Sequence, residues 1–179
     1  AVQPRPRATA GPDEAICLGE EVLLQGFASE AGPLYEYRWT PGTGLDDSTL
    51  QAPMARPDFT TTYFLTVWSN GCPSRADSLT LTVQPRPTAD VGTAYETCAG
   101  DSVQLNGTAS GDADATYTYA WTPAAGLSDP AGAKPWARPD QTTTYELVAT
   151  SSFGCESPVY EVTVNLLPTP LAAAGPDLT

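Results

Sequence analysis

Histidine is absent from this sequence of 179 residues, and basic side chains are few. Eight Lys and Arg stand against 21 Asp and Glu, so the formal net charge is −13. Without histidine the chain lacks the commonest general base and the commonest metal ligand of proteins. Nucleic-acid binding needs clustered Lys and Arg, so we expect no nucleic-acid partner.

Long apolar runs are absent as well. None approaches the roughly 20 residues that span a bilayer as a helix, so we expect no membrane insertion in this segment. The sequence has neither an initiating Met nor a signal-peptide pattern, and its first residues, "AVQPRP", resemble "TVQPRP" at 82–87. We therefore expect a segment of a longer protein, with any targeting signal outside it.

What the sequence does contain is internal repetition. Three stretches recur in the same order after about 80 residues, a period typical of tandem modules. They are "CLGEEVLLQG" (17–26) with "CAGDSVQLNG" (98–107), "YRWTPGTGL" (37–45) with "YAWTPAAGL" (119–127), and "RPDFTTTY" (56–63) with "RPDQTTTY" (138–145). We predict repeat 1 over 1–84, repeat 2 over 85–166, and the first strand of a third repeat over 167–179.

Apolar residues within each repeat recur at every second position. Tyr63, Leu65 and Val67 alternate with polar neighbours, as the matching stretch 145–149 does. This period is typical of half-buried strands, and clusters of Pro, Gly, Asp and Ser between the runs predict turns. We predict an all-β chain with about seven short strands per repeat, arranged as antiparallel β-sandwiches.

The order of these motifs resembles a known repeat class. Cys-x-Gly-x-x-Val-x-Leu, Tyr-x-Trp-x-Pro-x-x-Gly-Leu, Thr-Thr-Thr-Tyr-x-Leu and Gly-Cys are similar to the immunoglobulin-like (PKD-like) tandem repeats of giant secreted bacterial surface adhesins. These adhesins serve gliding motility and are often exported by type IX secretion. The resemblance implies an extracellular, cell-surface location. The prediction that the chain is not an enzyme comes instead from its residues, which include no histidine and no recognisable nucleophile motif. Because the PKD signature Trp-x-Phe-Gly-Asp-Gly is missing after Trp39 and Trp121, the immunoglobulin-like variant fits better.

An immunoglobulin-like sandwich also assigns core positions. Trp39 and Trp121 fall on a mid-repeat strand, where that fold places its large buried aromatic residue. Tyr63 and Tyr145 fall near the start of the penultimate strand, at the position of the tyrosine corner.

Each repeat carries two cysteines, Cys17 and Cys72 in the first and Cys98 and Cys155 in the second. A regular pair per small module, without histidine and without Cys-x-x-Cys, predicts disulfides in an oxidising compartment rather than a zinc site.

The pairing of these cysteines has two alternatives. The first joins the cysteines within each repeat. In an immunoglobulin-like sandwich, however, the second and sixth strands run in the same direction, so Cys17 and Cys72 would lie at opposite ends of the module. The second alternative is a staggered pairing of Cys17 with Cys155, which leaves Cys72 and Cys98 to repeats outside this segment.

Acidic residues recur at the openings of the repeats. Asp13, Asp90 and Asp177 occupy similar positions there. Calcium prefers six to eight oxygen ligands, so carboxylates at repeat junctions could bind it. The alternative is that these residues are solvated turn formers. No other cofactor is expected.

Two aromatic residues belong to repeat 1 alone. Phe64 and Trp68 align with Glu146 and Thr150 of repeat 2 and are predicted to point away from the core. They are candidates for contact with a glycan or a partner, or for packing against a neighbouring module.

The sequence contains no recognisable catalytic residue, since it lacks histidine and a Gly-x-Ser-x-Gly motif. The preferred interpretation is a set of spacer repeats in a long extracellular adhesin or filament protein, with neighbouring repeats as the main partners. The alternatives are a carbohydrate-binding accessory module of a secreted enzyme, with surface polysaccharide as ligand, and a subunit of a self-assembling extracellular fibre, with other copies as partners.

Overall fold

The computed structural model describes residues 5–29 and 34–168, and the chain divides into two compact units. The first unit is Ala1–Pro85 and contains repeat 1, and the second unit is Arg86–Thr179 and contains repeat 2, so the division falls one residue after the predicted boundary between the repeats. The predicted opening of a third repeat, 167–179, lies almost wholly outside the described residues. Within the described ranges, no helix is long and apolar enough to cross a membrane.

The described residues of repeat 1 form nine strands. They are β1 (Arg7–Thr9), β2 (Glu14–Cys17), β3 (Val22–Leu23), β4 (Phe27–Ser29), β5 (Glu36–Thr40), β6 (Met54–Ala55), β7 (Thr61–Ser69), β8 (Cys72–Pro73) and β9 (Asp77–Gln84). The main sheet has the order β2-β9-β7-β5, with β8 paired to β7 as a hairpin. The strand pairs β1-β4 and β3-β6 supply the other layer of the sandwich.

Repeat 2 has a similar arrangement, with eight strands among its described residues. They are β10 (Thr88–Asp90), β11 (Tyr95–Cys98), β12 (Val103–Gln104), β13 (Thr108–Ser110), β14 (Tyr117–Thr122), β15 (Trp136–Ala137), β16 (Thr143–Ser151) and β17 (Tyr160–Leu167). Its main sheet has the order β11-β17-β16-β14, and β10-β13 and β12-β15 form the second layer. The all-β, immunoglobulin-like class predicted from the sequence is confirmed.

One pairing in each repeat departs from the predicted antiparallel order. Strand β2 runs parallel to β9, and β11 runs parallel to β17. The reason is that the chain enters each repeat in one layer, where β1 pairs with β4, and then changes layer to pair with the last strand. In repeat 1 this change of layer contains Gly11, whose φ of 95° is a backbone conformation that glycine adopts without strain.

The core of each repeat is built around one tryptophan and one tyrosine. Trp39 and Tyr63 are almost fully buried in repeat 1, and Trp121 and Tyr145 are their equivalents in repeat 2. Burial alternates along β7 as the two-residue period predicts, because successive side chains of a strand point to opposite faces.

Each of these large side chains has a polar atom that is satisfied locally. Trp39 Nε1 donates to the carbonyl of Leu50 at 3.1 Å. The Tyr63 hydroxyl donates to the carbonyl of Thr43 at 2.9 Å, and burial raises the pKa of Tyr63, which keeps it a donor. The accepting carbonyl lies 20 residues upstream of Tyr63, whereas a tyrosine corner bonds the backbone only a few residues upstream, so Tyr63 is the buried core tyrosine predicted but its hydroxyl has a different partner.

The recurring octapeptide forms the connection that leads into β7 and β16. Arg56 N–H donates to the Gly44 carbonyl at 2.7 Å, which fixes the turn before the strand. Thr60 Oγ1 accepts the Val83 N–H at 3.1 Å, and the hydroxyls of Thr62 and Thr80 lie 3.0 Å apart across the sheet. The equivalent threonines of repeat 2 make the same two contacts. The octapeptide therefore recurs because each repeat needs the same connection.

Removing the hydroxyl of the buried tyrosine by Tyr63→Phe should lower the free energy of unfolding of repeat 1 by about 1 kcal/mol, since the Thr43 carbonyl loses its donor. Urea unfolding followed by fluorescence measures the change. Phe59→Gln is the matched control, because Phe59 is 81% exposed and repeat 2 carries Gln141 at that position. A Tyr63→Phe variant as stable as the Phe59→Gln variant would contradict this role.

Candidate functional site

Cys17 lies at the end of repeat 1 where the chain leaves the module. As the last residue of β2 it is the register partner of Gln84, the last residue of β9. The next residue, Leu18, donates its N–H to the Gln84 carbonyl at 2.8 Å. Glu20 closes the following turn, because its N–H donates to the Cys17 carbonyl and its carboxylate accepts the Cys17 N–H.

Cys72 lies at the opposite end of the same repeat. It is the register partner of Ser69 across a tight hairpin formed by Asn70 and Gly71, both at positive φ. The distance between Cys17 and Cys72 can be measured along β7, because both have register partners that can be placed on this strand. Cys72 pairs with Ser69 of β7, and the pairing of Thr61 with Leu81 fixes where Gln84, the partner of Cys17, falls along it. The positions of the two cysteines along β7 are about eleven residues apart, or roughly 35 Å at 3.3 Å per residue.

Repeat 2 reproduces this separation. Cys98 is the register partner of Leu167, at the end of the last strand. The amide of Cys155 lies by Ser151, at the far end of β16, where its N–H donates to the Ser151 hydroxyl at 3.2 Å. A disulfide tolerates a Cα separation of at most about 7 Å. The alternative of pairing within each repeat is therefore wrong for both modules.

The bonding states of the four cysteines differ. Cys17 and Cys155 are disulfide-bonded, whereas Cys72 and Cys98 are free thiols. Cys155 is 1% exposed, Cys72 is half-buried and Cys98 is exposed. Two of the four predicted disulfide cysteines are thus unbonded within this chain.

Both bonded cysteines lie close to the linker that joins the repeats, each within its own module. Gln84, beside Cys17, is the last strand residue of repeat 1. In repeat 2, the guanidinium of Arg86 donates to the carbonyl of Glu156, the residue after Cys155, at 3.3 Å. In the sequence only Pro85 separates Gln84 from Arg86.

A separate feature of repeat 1 is a shallow groove along the edge of β5, with a volume of about 580 Å³. Trp68 lines it together with Glu36, its register partner on β5, and with Arg38. The remaining lining residues are Tyr35, Tyr37, Ser48 and Thr49. The groove combines an aromatic surface, both signs of charge and hydroxyl groups, which is a set of groups suited to a polar, neutral ligand.

The two predicted aromatic contacts do not act as one site. Phe64 is 46% exposed and lies on the same face of β7 as Trp68, but it pairs with Thr40 and does not line the groove. Trp68 itself is half-buried. Sequence reasoning missed Glu36 and Arg38, although the alternation in "YEYRWT" puts both on the face opposite to Trp39.

The predicted calcium residues accept backbone hydrogen bonds where they are described. Asp13 accepts the N–H of Thr80 at 2.7 Å, and Asp90 accepts the N–H of Gly92 at 2.9 Å. Asp177 lies outside the described residues. Among the described residues, no group of three or more His, Cys, Asp and Glu side chains could hold a metal ion. Calcium at the junctions stays a prediction.

Comparisons with known proteins identify the fold. No protein-family model matches the sequence, and a search of characterised proteins finds no match. Among solved structures, the extracellular domains 3–5 of Drosophila OTK align over 92% of this chain and 63% of theirs, with a TM-score of 0.54 and 12% identity. The titin I-band fragment I67–I69 aligns over 93% and 67%, with a TM-score of 0.54 and 9% identity. The chain thus spans about two thirds of each, and at such identities the likeness establishes the immunoglobulin-like fold alone.

Proposed function

We propose that this chain belongs to the spacer region of a long extracellular surface or adhesion protein, in which adjacent immunoglobulin-like repeats are locked together by a disulfide staple. The observation that carries the proposal is the bonding state of the cysteines. The two bonded residues, Cys17 and Cys155, belong to consecutive repeats, and the strand register excludes a partner within either repeat. This is the staggered pairing.

The positions of the two bonded cysteines suit a staple. Cys17 lies beside Gln84 and the Cys155 loop binds Arg86, so a Cys17–Cys155 bond would run next to the peptide link that already joins the repeats. Pro85 fixes its own φ and stiffens that link. Two covalent connections restrict bending and twisting far more than one. Modules held in this way would keep a fixed spacing and a fixed orientation along the chain, which is what a spacer requires.

The extracellular setting follows from the same chemistry. Structural disulfides persist in oxidising compartments and are rare in the cytosol. The net charge of −13 keeps an extended array soluble and opposes non-specific association. Membership of a gliding-motility adhesin exported by type IX secretion rests on the sequence resemblance, and we include it in the proposal on that ground.

The staple predicts a defined change in solution scattering. The double variant Cys17→Ser/Cys155→Ser should keep both folded repeats, because each has its own core, but should show a broader distribution of radii of gyration. Small-angle X-ray scattering on the oxidised proteins measures this, with circular dichroism to verify folding. Reduction of the unsubstituted chain should reproduce the broadening.

The matched control is the double variant Cys72→Ser/Cys98→Ser, which removes the free thiols and should scatter like the unsubstituted chain. A stapled chain whose distribution equals that of the Cys17→Ser/Cys155→Ser variant would contradict the spacer mechanism. Forward scattering reports the mass at the same time. A monomer agrees with a spacer, whereas a concentration-dependent oligomer would favour the self-assembling fibre.

The groove of repeat 1 favours a second candidate function, carbohydrate binding. The indole of Trp68 offers a surface on which the apolar face of a sugar ring can stack. Glu36 and Arg38 can accept from and donate to sugar hydroxyls on either side of it. Repeat 2 carries Thr118, Ala120 and Thr150 in place of these three residues, so binding would be confined to repeat 1.

Substitution of the groove tryptophan tests this candidate. Glycans identified on an array should bind the Trp68→Ala variant at least about 10-fold more weakly by calorimetry, a loss of about 1.4 kcal/mol. Trp136→Ala is the matched control, because it removes a half-exposed tryptophan of repeat 2 and should leave affinity unchanged. If no glycan binds the unsubstituted chain, or both variants bind equally well, the groove is not a sugar site.

A further inference from the structure

We infer that Cys72 and Cys98 each form a disulfide with a further repeat of this kind, in the same way as Cys17 and Cys155 join repeats 1 and 2 in the proposed staple. Cys98 would bond to the Cys155-type cysteine of a following repeat, and Cys72 to the Cys17-type cysteine of a preceding one. The disulfides would then continue from junction to junction. This inference rests on the proposed function, because it takes the Cys17–Cys155 staple as its pattern.

The surroundings of Cys98 match those of the bonded Cys17. Each ends a strand that runs parallel to the last strand of its repeat, with Leu167 in the place of Gln84. The turn after each is closed in the same way, since Asp101 N–H donates to the Cys98 carbonyl at 3.0 Å and Glu20 N–H donates to the Cys17 carbonyl at 2.9 Å. Cys98 thus presents its thiol at the exit end of repeat 2, as Cys17 does in repeat 1.

The surroundings of Cys72 match those of the bonded Cys155. In both repeats a serine lies two positions after the cysteine and exchanges two hydrogen bonds with the central strand. Ser74 Oγ accepts the Val67 N–H at 3.0 Å while Ser74 N–H donates to the Val67 carbonyl at 2.8 Å. Ser157 and Ala149 form the same two bonds at the same distances. These contacts fix the two cysteines at equivalent places at the entry end.

A buried hydroxyl distinguishes the free end from the bonded one. In repeat 2 the hydroxyl of Ser151 accepts the Cys155 N–H. In repeat 1 the equivalent Ser69 is 3% exposed, and its hydroxyl has no hydrogen-bond partner among the described residues. A buried polar atom without a partner is rare and costly, so the hydroxyl of Ser69, beside Cys72, lacks a hydrogen bond that the hydroxyl of Ser151, beside Cys155, has.

The chemistry of each further bond is ordinary thiol oxidation. Two thiols, one from each repeat, lose two electrons and two protons and form one sulfur–sulfur bond. A small-molecule disulfide such as glutathione disulfide accepts them through a mixed disulfide and is released as two molecules of reduced glutathione. Because the partner repeat is held by its peptide linker, the reacting thiols are at high effective concentration.

An added repeat tests the inference directly. Leu167 occupies the register position of Gln84, and Pro168 follows it as Pro85 follows Gln84. Residues 1–168 followed directly by a second copy of residues 86–167 therefore reproduce the natural junction. The unextended chain has two free thiols. After oxidation with glutathione disulfide and removal of mixed disulfides, the extended chain should also show two under denaturing conditions, because Cys98 bonds to the new repeat.

The control carries Cys155→Ser in the appended copy alone, which removes the proposed partner of Cys98 and should leave three free thiols. A peptide map without reduction identifies the bonds. Four free thiols in the extended chain, or a bond from Cys98 to any other cysteine, would overturn the inference. The same map reports whether the Cys17–Cys155 bond is present. Absence of that bond would contradict the proposed staple itself. Its presence together with four free thiols would contradict only the inference that the disulfides continue to further repeats.

Discussion

The separation of the two cysteines along the main sheet is the constraint on which the rest of this molecule depends. Strands β7 and β16 are each nine residues long and run through the centre of their sheets. Because the two cysteines of a repeat lie at opposite ends of that span, they are too far apart to be joined within the folded repeat. A disulfide in such a module must therefore connect it to something outside itself.

That constraint changes what the crosslink stabilises. An antibody-type disulfide bridges the two layers of one sandwich and reinforces one core. Here Leu65 and Leu147 are buried in the two cores, and each core is packed around a tryptophan and a tyrosine. In the proposed staple the crosslink closes a loop of more than about 100 residues, which in the chain-entropy model contributes on the order of 4–5 kcal/mol. That contribution is shared by two small modules, so it would couple their unfolding.

The parts of this structure that depend on local pattern could be predicted from the sequence. Tyr63 and Trp39 were placed correctly because strand periodicity and the surrounding turn residues are local properties. The parallel pairing of β2 with β9 could not be predicted, because it depends on the change of layer after β1. Glu36 and Arg38 could not be assigned to a groove either, since they reach Trp68 only through the pairing of β5 with β7. The choice between the two disulfide alternatives likewise required the register of the sheet.

Force spectroscopy on the single chain, pulled from its two ends, tests the central claim most directly. If Cys17 and Cys155 are bonded to each other, the force passes across the disulfide and the residues between them contribute no extension under oxidising conditions. Addition of a reductant should then release about 50 nm of further contour length, at ~3.6 Å per residue. Two full-length repeat unfolding steps in the oxidised chain, unchanged by the reductant, would contradict the account.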